Sequence, residues 1–216
     1  MNKIKKMEGN QFLLMITILL FVVMYIVGIV VFHDKGFTKT QVFLNLLISN
    51  AGLIVIATSM TMVLITGGID ISVGSVVALT CMLLAWMMEN KGIGAVPAVI
   101  LVLFIGVVVG LVQGYLVAYM KIQPFIVTLA GMFFARGMTA IISTDMISIK
   151  NETFLSWAQA KMYMPFGGYV NKKGIIVNPY IYPSVVIALV ILVLIFIMLK
   201  YTKFGRSIYA IGGNEQ

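Results

Sequence analysis

Few residues in this chain are typed and spaced for chemistry, and most of them fall in one stretch. Thr66-Gly67-Gly68-Ile69-Asp70-Ile71-Ser72-Val73-Gly74-Ser75 sets one carboxylate and three hydroxyls among glycines, between the apolar runs Val42–Ile65 and Val76–Met88. It is not a phosphate loop, because G-x-x-x-x-G-K-[ST] is absent and the stretch has no lysine. A calcium loop fails as well, since one carboxylate does not make a ligand set. Cys81, the only cysteine, lies in an apolar run, so neither a disulfide framework nor a thiolate metal site is expected. His33, the only histidine, falls in a loop. With one His and one Cys, metal catalysis and Cys–His chemistry have little support, and no acid, base and nucleophile cluster as an enzyme needs.

The elements around that stretch belong to a membrane protein. The chain has 216 residues, of which 61% are hydrophobic and 10% charged, against roughly 25% charged in a soluble domain. Its mean hydropathy is +1.08. Three glycines and a carboxylate do not continue a lipid-facing helix, because each glycine weakens it and the charge is costly in hydrocarbon. The run that follows, even counted from Ser75, spans only about 20 Å at 1.5 Å per residue, short of the roughly 30 Å hydrocarbon thickness. The stretch therefore reads as a re-entrant break before the third helix, with Ser72 or Asp70 capping the half-helix that follows. Irregular backbone at that depth is tolerated only in protein or along a water-filled cavity, which makes the break an element of a permeation path. Asp70 as a helix cap at the membrane surface, touching no substrate, stands beside that reading with equal weight.

Taken in order, the chain predicts an all-α polytopic fold of about six transmembrane helices. Met1-Asn2-Lys3-Ile4-Lys5-Lys6 is a short basic start, followed by a span from Phe12 to Phe32 too long for a signal-peptide core. Val42–Ile65 is the second span, with Asn45, Ser49, Gly52 and Ser59 on roughly one face and Asn50 and Thr58 nearby. Such residues point into a bundle, mostly as interhelical hydrogen bonds. The short third span ends in Met88-Glu89-Asn90-Lys91-Gly92. A fourth, from about Pro97 to Met120, carries Gly106, Gly110 and Gly114, which allow close helix packing. Pro124 suits the first turn of the fifth, Phe125–Ile142. Arg136 lies near its middle and must face a cavity or a partner, or else snorkel to a surface.

Thr144 to Pro183 is the one long polar segment and, by alternation, an extracytoplasmic loop. Within it Glu152–Tyr163 has the spacing of a short interfacial helix. Ser184–Leu199 is the sixth span, ending in Lys200, Lys203 and Arg206. Lys3, Lys5, Lys6, Lys121, Lys200, Lys203 and Arg206 then fall inside, and Lys35, Lys39, Lys91, Lys150, Lys161, Lys172 and Lys173 outside. The charge rule thus supports a cytoplasmic N-terminus only in part. The formal net charge of +8 forms no basic stripe with aromatics, so nucleic acid is not an expected partner; anionic lipid is.

Three ordered motifs carry a resemblance. Thr66-Gly-Gly-Ile-Asp-Ile-Ser-Val-Gly-Ser75, Gln123-Pro-Phe-Ile-Val-Thr-Leu-Ala-Gly-Met-Phe-Phe-Ala-Arg-Gly137 and Phe204-Gly-Arg-Ser-Ile-Tyr-Ala-Ile-Gly-Gly-Asn214 resemble the transmembrane permease of bacterial sugar ABC importers of the ribose, xylose and arabinose type, nearest the galactofuranose branch. The resemblance implies one permease domain over 1–216, the N-terminal part of a longer family domain. It implies a monosaccharide moved inward through the bacterial inner membrane by alternating access. The implied partners are a cytoplasmic ATPase subunit, an extracytoplasmic sugar-binding protein and a second permease subunit. ATP and magnesium would sit on the ATPase, since no Walker A motif is present here, and no cofactor is expected on this chain. The path residues would be Thr66, Gly67, Gly68, Asp70, Ser72, Gly74, Asn50 and Arg136. The ATPase-contacting region would begin at 204–216 with Phe204, Gly205, Arg206, Gly212, Gly213 and Asn214, where the glycines fit a tight chain reversal. A membrane-edge anchor explains Lys203 and Arg206 equally well. The alternative from another class is an ion-coupled secondary transporter, in which a broken helix with Asp70 is also expected.

Overall fold

The computed structural model of the chain describes residues 9–33, 36–170, 174 and 176–213. Five helices are long and apolar enough to cross a membrane: α1 (Gly9–Val31), α2 (Thr40–Ile65), α4 (Ala95–Ala118), α5 (Pro124–Ile142) and α7 (Pro183–Tyr201). Between α2 and α4 stands α3 (Val73–Glu89), only 17 residues long. Two short helices, α6 (Glu152–Ala158) and α8 (Lys203–Gly213), complete the helical set. The fold is all-α and polytopic, and each span lies within a few residues of the apolar run that predicts it. Proline sets two of the starts. Gln123 before Pro124 and Tyr182 before Pro183 are extended, and each proline occupies the first helical turn, where its missing N–H leaves nothing unpaired.

The chain divides into two compact units, residues 1–47 with 163–180, and residues 48–162 with 181–216. In the first, Tyr25, Phe32, Phe37 and Phe43 form a ring cluster with centroids 5.4–6.2 Å apart. Strands β2 (Tyr169–Val170) and β3 (Ile176–Val177) pair antiparallel, Tyr169 with Val177 and Val170 with Ile176. The Gln41 amide takes both backbone groups of Tyr180, accepting from its N–H at 2.8 Å and donating to its carbonyl at 3.2 Å. Lys39 lies over the Tyr169 ring.

In the second unit α3 and α5 make the most extensive helix pairing, with Leu79, Ala85, Val127 and Ala135 buried. At the far end of α3 a cluster of Met87, Met88, Ala95 and Ala98 packs with Trp86, Ile149 and Phe154. Glu89 holds the segment before α6 there, accepting from the Lys150 and Asn151 N–H groups at 2.7 and 3.0 Å. Asn151 then caps α6 through the Phe154 N–H.

Two expectations are corrected. The interfacial helix predicted over Glu152–Tyr163 stops at Ala158, and Met162–Tyr163 is instead strand β1, paired with β4 (Tyr180–Ile181). The last described residues, expected to reverse the chain at Gly205, Gly212 and Gly213, form helix α8. Thr202 joins it to α7: its hydroxyl donates to the Met198 carbonyl at 2.6 Å and accepts from the Gly205 N–H at 3.2 Å. It thereby closes one helix and caps the next.

Candidate functional site

The break between α2 and α3 is built from its backbone outward. Gly67 has φ +78°, the left-handed conformation that glycine takes without penalty. The Gly67 N–H donates to the Leu64 carbonyl at 3.0 Å and the Gly68 N–H to the Val63 carbonyl at 3.1 Å. These are the two bonds of a Schellman closure, so α2 ends on its own backbone. The Thr66 hydroxyl adds a bond to the Val63 carbonyl at 2.7 Å. Gly68 is buried, and a side chain there would meet Val63 and Pro124 at 3.3–3.7 Å. From Gly68 to Ser72 the chain is not helical.

Asp70 organises this irregular piece. Its Oδ1 accepts from the Ser72 N–H at 2.8 Å and from the Ser72 hydroxyl at 2.6 Å. That is a local Asx-type turn strengthened by the carboxylate charge. Ser72 does occupy the N-cap position of α3, but its side chain makes no capping bond. The expected cap by Ser72 or Asp70 is thus replaced by a bond between the two, because the carboxylate is the stronger acceptor and lies within one turn. Among the described residues no donor reaches Asp70 Oδ2, and the residue is half-buried. One carboxylate oxygen holds the turn while the other remains available.

Neighbouring helices hold the break and the first turn of α3 through three further bonds. Gln113 of α4 donates through Nε2 to the Ser72 hydroxyl oxygen at 3.1 Å. Thr128 of α5, itself buried, places its hydroxyl 3.2 Å from the Ile69 carbonyl. Arg136 of α5 donates through Nε to the hydroxyl of buried Ser75 at 3.3 Å. Asp70 and Arg136 therefore each face a serine, and among the described residues no ion pair joins them. Arg136 as a whole is exposed. Beside the break a cavity of about 750 Å³ is lined by Thr66, Gly67, Gly68, Lys121, Gln123 and Ile211. Lys121, in the turn between α4 and α5, adopts φ 57°, unusual for a residue with a side chain.

The structure gathers Thr66, Gly67, Gly68, Asp70 and Ser72 into one site and brings Arg136 to its α3 side. Gly74 lies in the first turn of α3 with open space beside it. Asn50 does not join them, being on α2 about 24 Å from Thr66 at 1.5 Å per residue. Gln113 and Thr128, which bond the break directly, escape sequence reasoning. The available signal for Gln113 was that it is the one amide in α4. Among the described residues no three His, Cys, Asp or Glu side chains come together as a metal would need.

Helix α8 carries the second set. Gly205 is buried, and a Cβ there would overlap the Leu199 backbone carbonyl at the end of α7. A Cβ at Gly212 would overlap the Ile65 carbonyl, the last residue of α2. These glycines permit close contact between helices instead of turning the chain. Phe204 and Arg206 are exposed, and Gly213 ends the helix; Asn214 lies outside the described residues. Arg206 shares a groove with Thr61, Ile65, Lys200 and Tyr209.

Residues 42–216 match the family described as branched-chain amino acid transport system / permease component. The chain is 38% identical over 201 residues to the inner membrane ABC transporter permease protein YjfF of Escherichia coli K12, which covers 93% of this chain and 57% of that protein. It is 35% identical over 226 residues to the fructose import permease protein FruG of Bifidobacterium longum, covering 99% of this chain and 62% of the relative. It is also 35% identical over 180 residues to the ribose import permease protein RbsC of Escherichia coli K12, covering 83% and 52%. The chain thus spans between half and two thirds of the length of these relatives. No solved structure matches it.

Proposed function

Because the chain belongs to the family of branched-chain amino acid transport system permease components, we propose that it serves as the permease subunit of an ATP-binding cassette importer for a monosaccharide. The cargo reading rests on two of these relatives, whose names specify fructose and ribose import, and on the chemistry of the break. Sugar hydroxyls are donors as well as acceptors, and the observation that carries the reading is the unengaged Oδ2 of Asp70 in a polar break between two membrane helices. A second carboxylate, which an ion-coupled transporter would use to share a proton or sodium ion, does not accompany Asp70 among the described residues. Glu89, Asp145 and Glu152 stand at the end of α3 and in the segment before α7.

In this reading the chain crosses the inner membrane several times with its N-terminus in the cytoplasm and residues 144–183 outside. It pairs with a second permease subunit, receives sugar from an extracytoplasmic binding protein, and is driven by a cytoplasmic ATPase engaging the region from Phe204 onward. Alternating access moves the helices around Asp70, Ser72 and Arg136 while no bond of the sugar is made or broken. In proteoliposomes carrying the full importer, sugar-loaded binding protein should raise ATP hydrolysis several-fold, and omitting the permease should abolish that rise. Stimulation that persists without the permease would contradict the assignment.

A further inference from the structure

Gly131 and Gln113 make a pair that no motif singles out together. Gln113 projects from α4 toward Ser72, and its amide nitrogen bonds the hydroxyl that in turn donates to Asp70. Gly131 lies on α5 directly against that amide. A Cβ at 131 would overlap Gln113 Nε2 and come within 3.2 Å of Gln113 Cδ and 3.5 Å of Ser72 Cβ. The obstructed group is the far end of a flexible side chain, so it can swing aside and leave the helices packed. Swinging aside removes its bond to Ser72.

We propose that Gly131 and Gln113 are positioning residues for the break: the missing side chain at 131 admits the Gln113 amide, which fixes Ser72 and so aims Asp70. The amide donates to Ser72 Oγ, leaving the serine proton to point at Asp70 Oδ1, and the carboxylate is held with Oδ2 outward. This rests on the transport reading above and names residues that act through Asp70 without touching sugar.

The test is a double-variant cycle, Gly131→Ala, Gln113→Ala and both together, in the full importer with its ATPase and binding protein. One readout is thermal unfolding of the purified complex in detergent. The other is ATP-driven uptake from a panel of labelled ribose, fructose and galactose, with Asp70→Asn as the reference. Gly131→Ala should lower the unfolding temperature when Gln113 is present and leave it unchanged or raise it when Gln113 is alanine, since alanine favours a helix over glycine. Each single change should cut uptake about tenfold, the equivalent of about 1.4 kcal/mol, and the double change should be no worse than Gln113→Ala. Strictly additive losses in both readouts, or native uptake in both single variants while Asp70→Asn abolishes it, would overturn the positioning role and leave the transport reading intact. Native uptake in Asp70→Asn would overturn the role of Asp70 and this inference with it, whereas no ATP-driven uptake of any sugar by the unaltered importer would overturn the transport reading as well.

Discussion

Asp70 is held by a local arrangement, two short bonds from Ser72 at 2.6 and 2.8 Å. On the transport reading it lies within the membrane, where a carboxylate at the centre of a spanning helix costs about 2.5–3.5 kcal/mol on insertion scales, and the two bonds would offset part of such a cost. Asparagine can still accept both, so Asp70→Asn should accumulate at native levels in the membrane. On the transport reading it loses the charged acceptor offered to sugar, and hydrogen bonds to charged groups are worth about 1.5–3 kcal/mol, so uptake should fall by about ten- to a hundredfold. Arg136→Gln should weaken only its bond to Ser75, and the combined variant should show the sum of the two losses, because each charge has its own serine. Recovery of expression or uptake in the double variant would mean that the two charges meet. The interruption between α2 and α3 was legible because glycine and a carboxylate contradict their apolar surroundings. Asn50 lies on α2 away from the break, and in sequence a polar residue on a span looks the same whether it faces a path or a neighbouring helix. The roles of Gln113 and Thr128 depend on which helices pack together, and spacing along one helix does not carry that.

Among the elements, the five long apolar runs are readable because bilayer thickness imposes a length and proline marks two starts. The short polar elements are less so. Residues 203–213 alternate charge, apolar groups and glycine, and glycine serves a turn and a close helix contact equally well; the backbones of α7 and α2 select the second use. Gly212→Val should therefore push α8 off the end of α2, lowering the unfolding temperature by several degrees. Arg206→Glu, exposed and free of such packing, should leave stability unchanged. If this end engages the ATPase, the same Arg206→Glu should reduce recovery of that subunit on co-purification several-fold by replacing attraction with repulsion. Native recovery would leave α8 as a membrane-edge anchor. For α6 the apolar spacing continues past Ala158 in sequence, but the chain turns to pair Met162–Tyr163 with Tyr180–Ile181.

For the whole molecule the transport reading fixes a direction: the α6 segment outside and α8 inside. In a Cys81→Ser background, an impermeant thiol reagent applied to intact cells should label a Ser156→Cys variant and spare Ser207→Cys. Both positions are exposed on the chain, so equal labelling would reverse or break the layout. The energy source is the sharper question, since a broken helix carrying a carboxylate serves ion-coupled carriers as well as ATP-driven ones. The most direct measurement is uptake of labelled sugar by membrane vesicles under two opposed conditions: ATP depleted with the ion gradients clamped, and ATP supplied with the gradients collapsed by ionophores. ATP-driven import predicts that uptake stops in the first and continues in the second. Uptake that survives ATP depletion and vanishes with the gradients would contradict it.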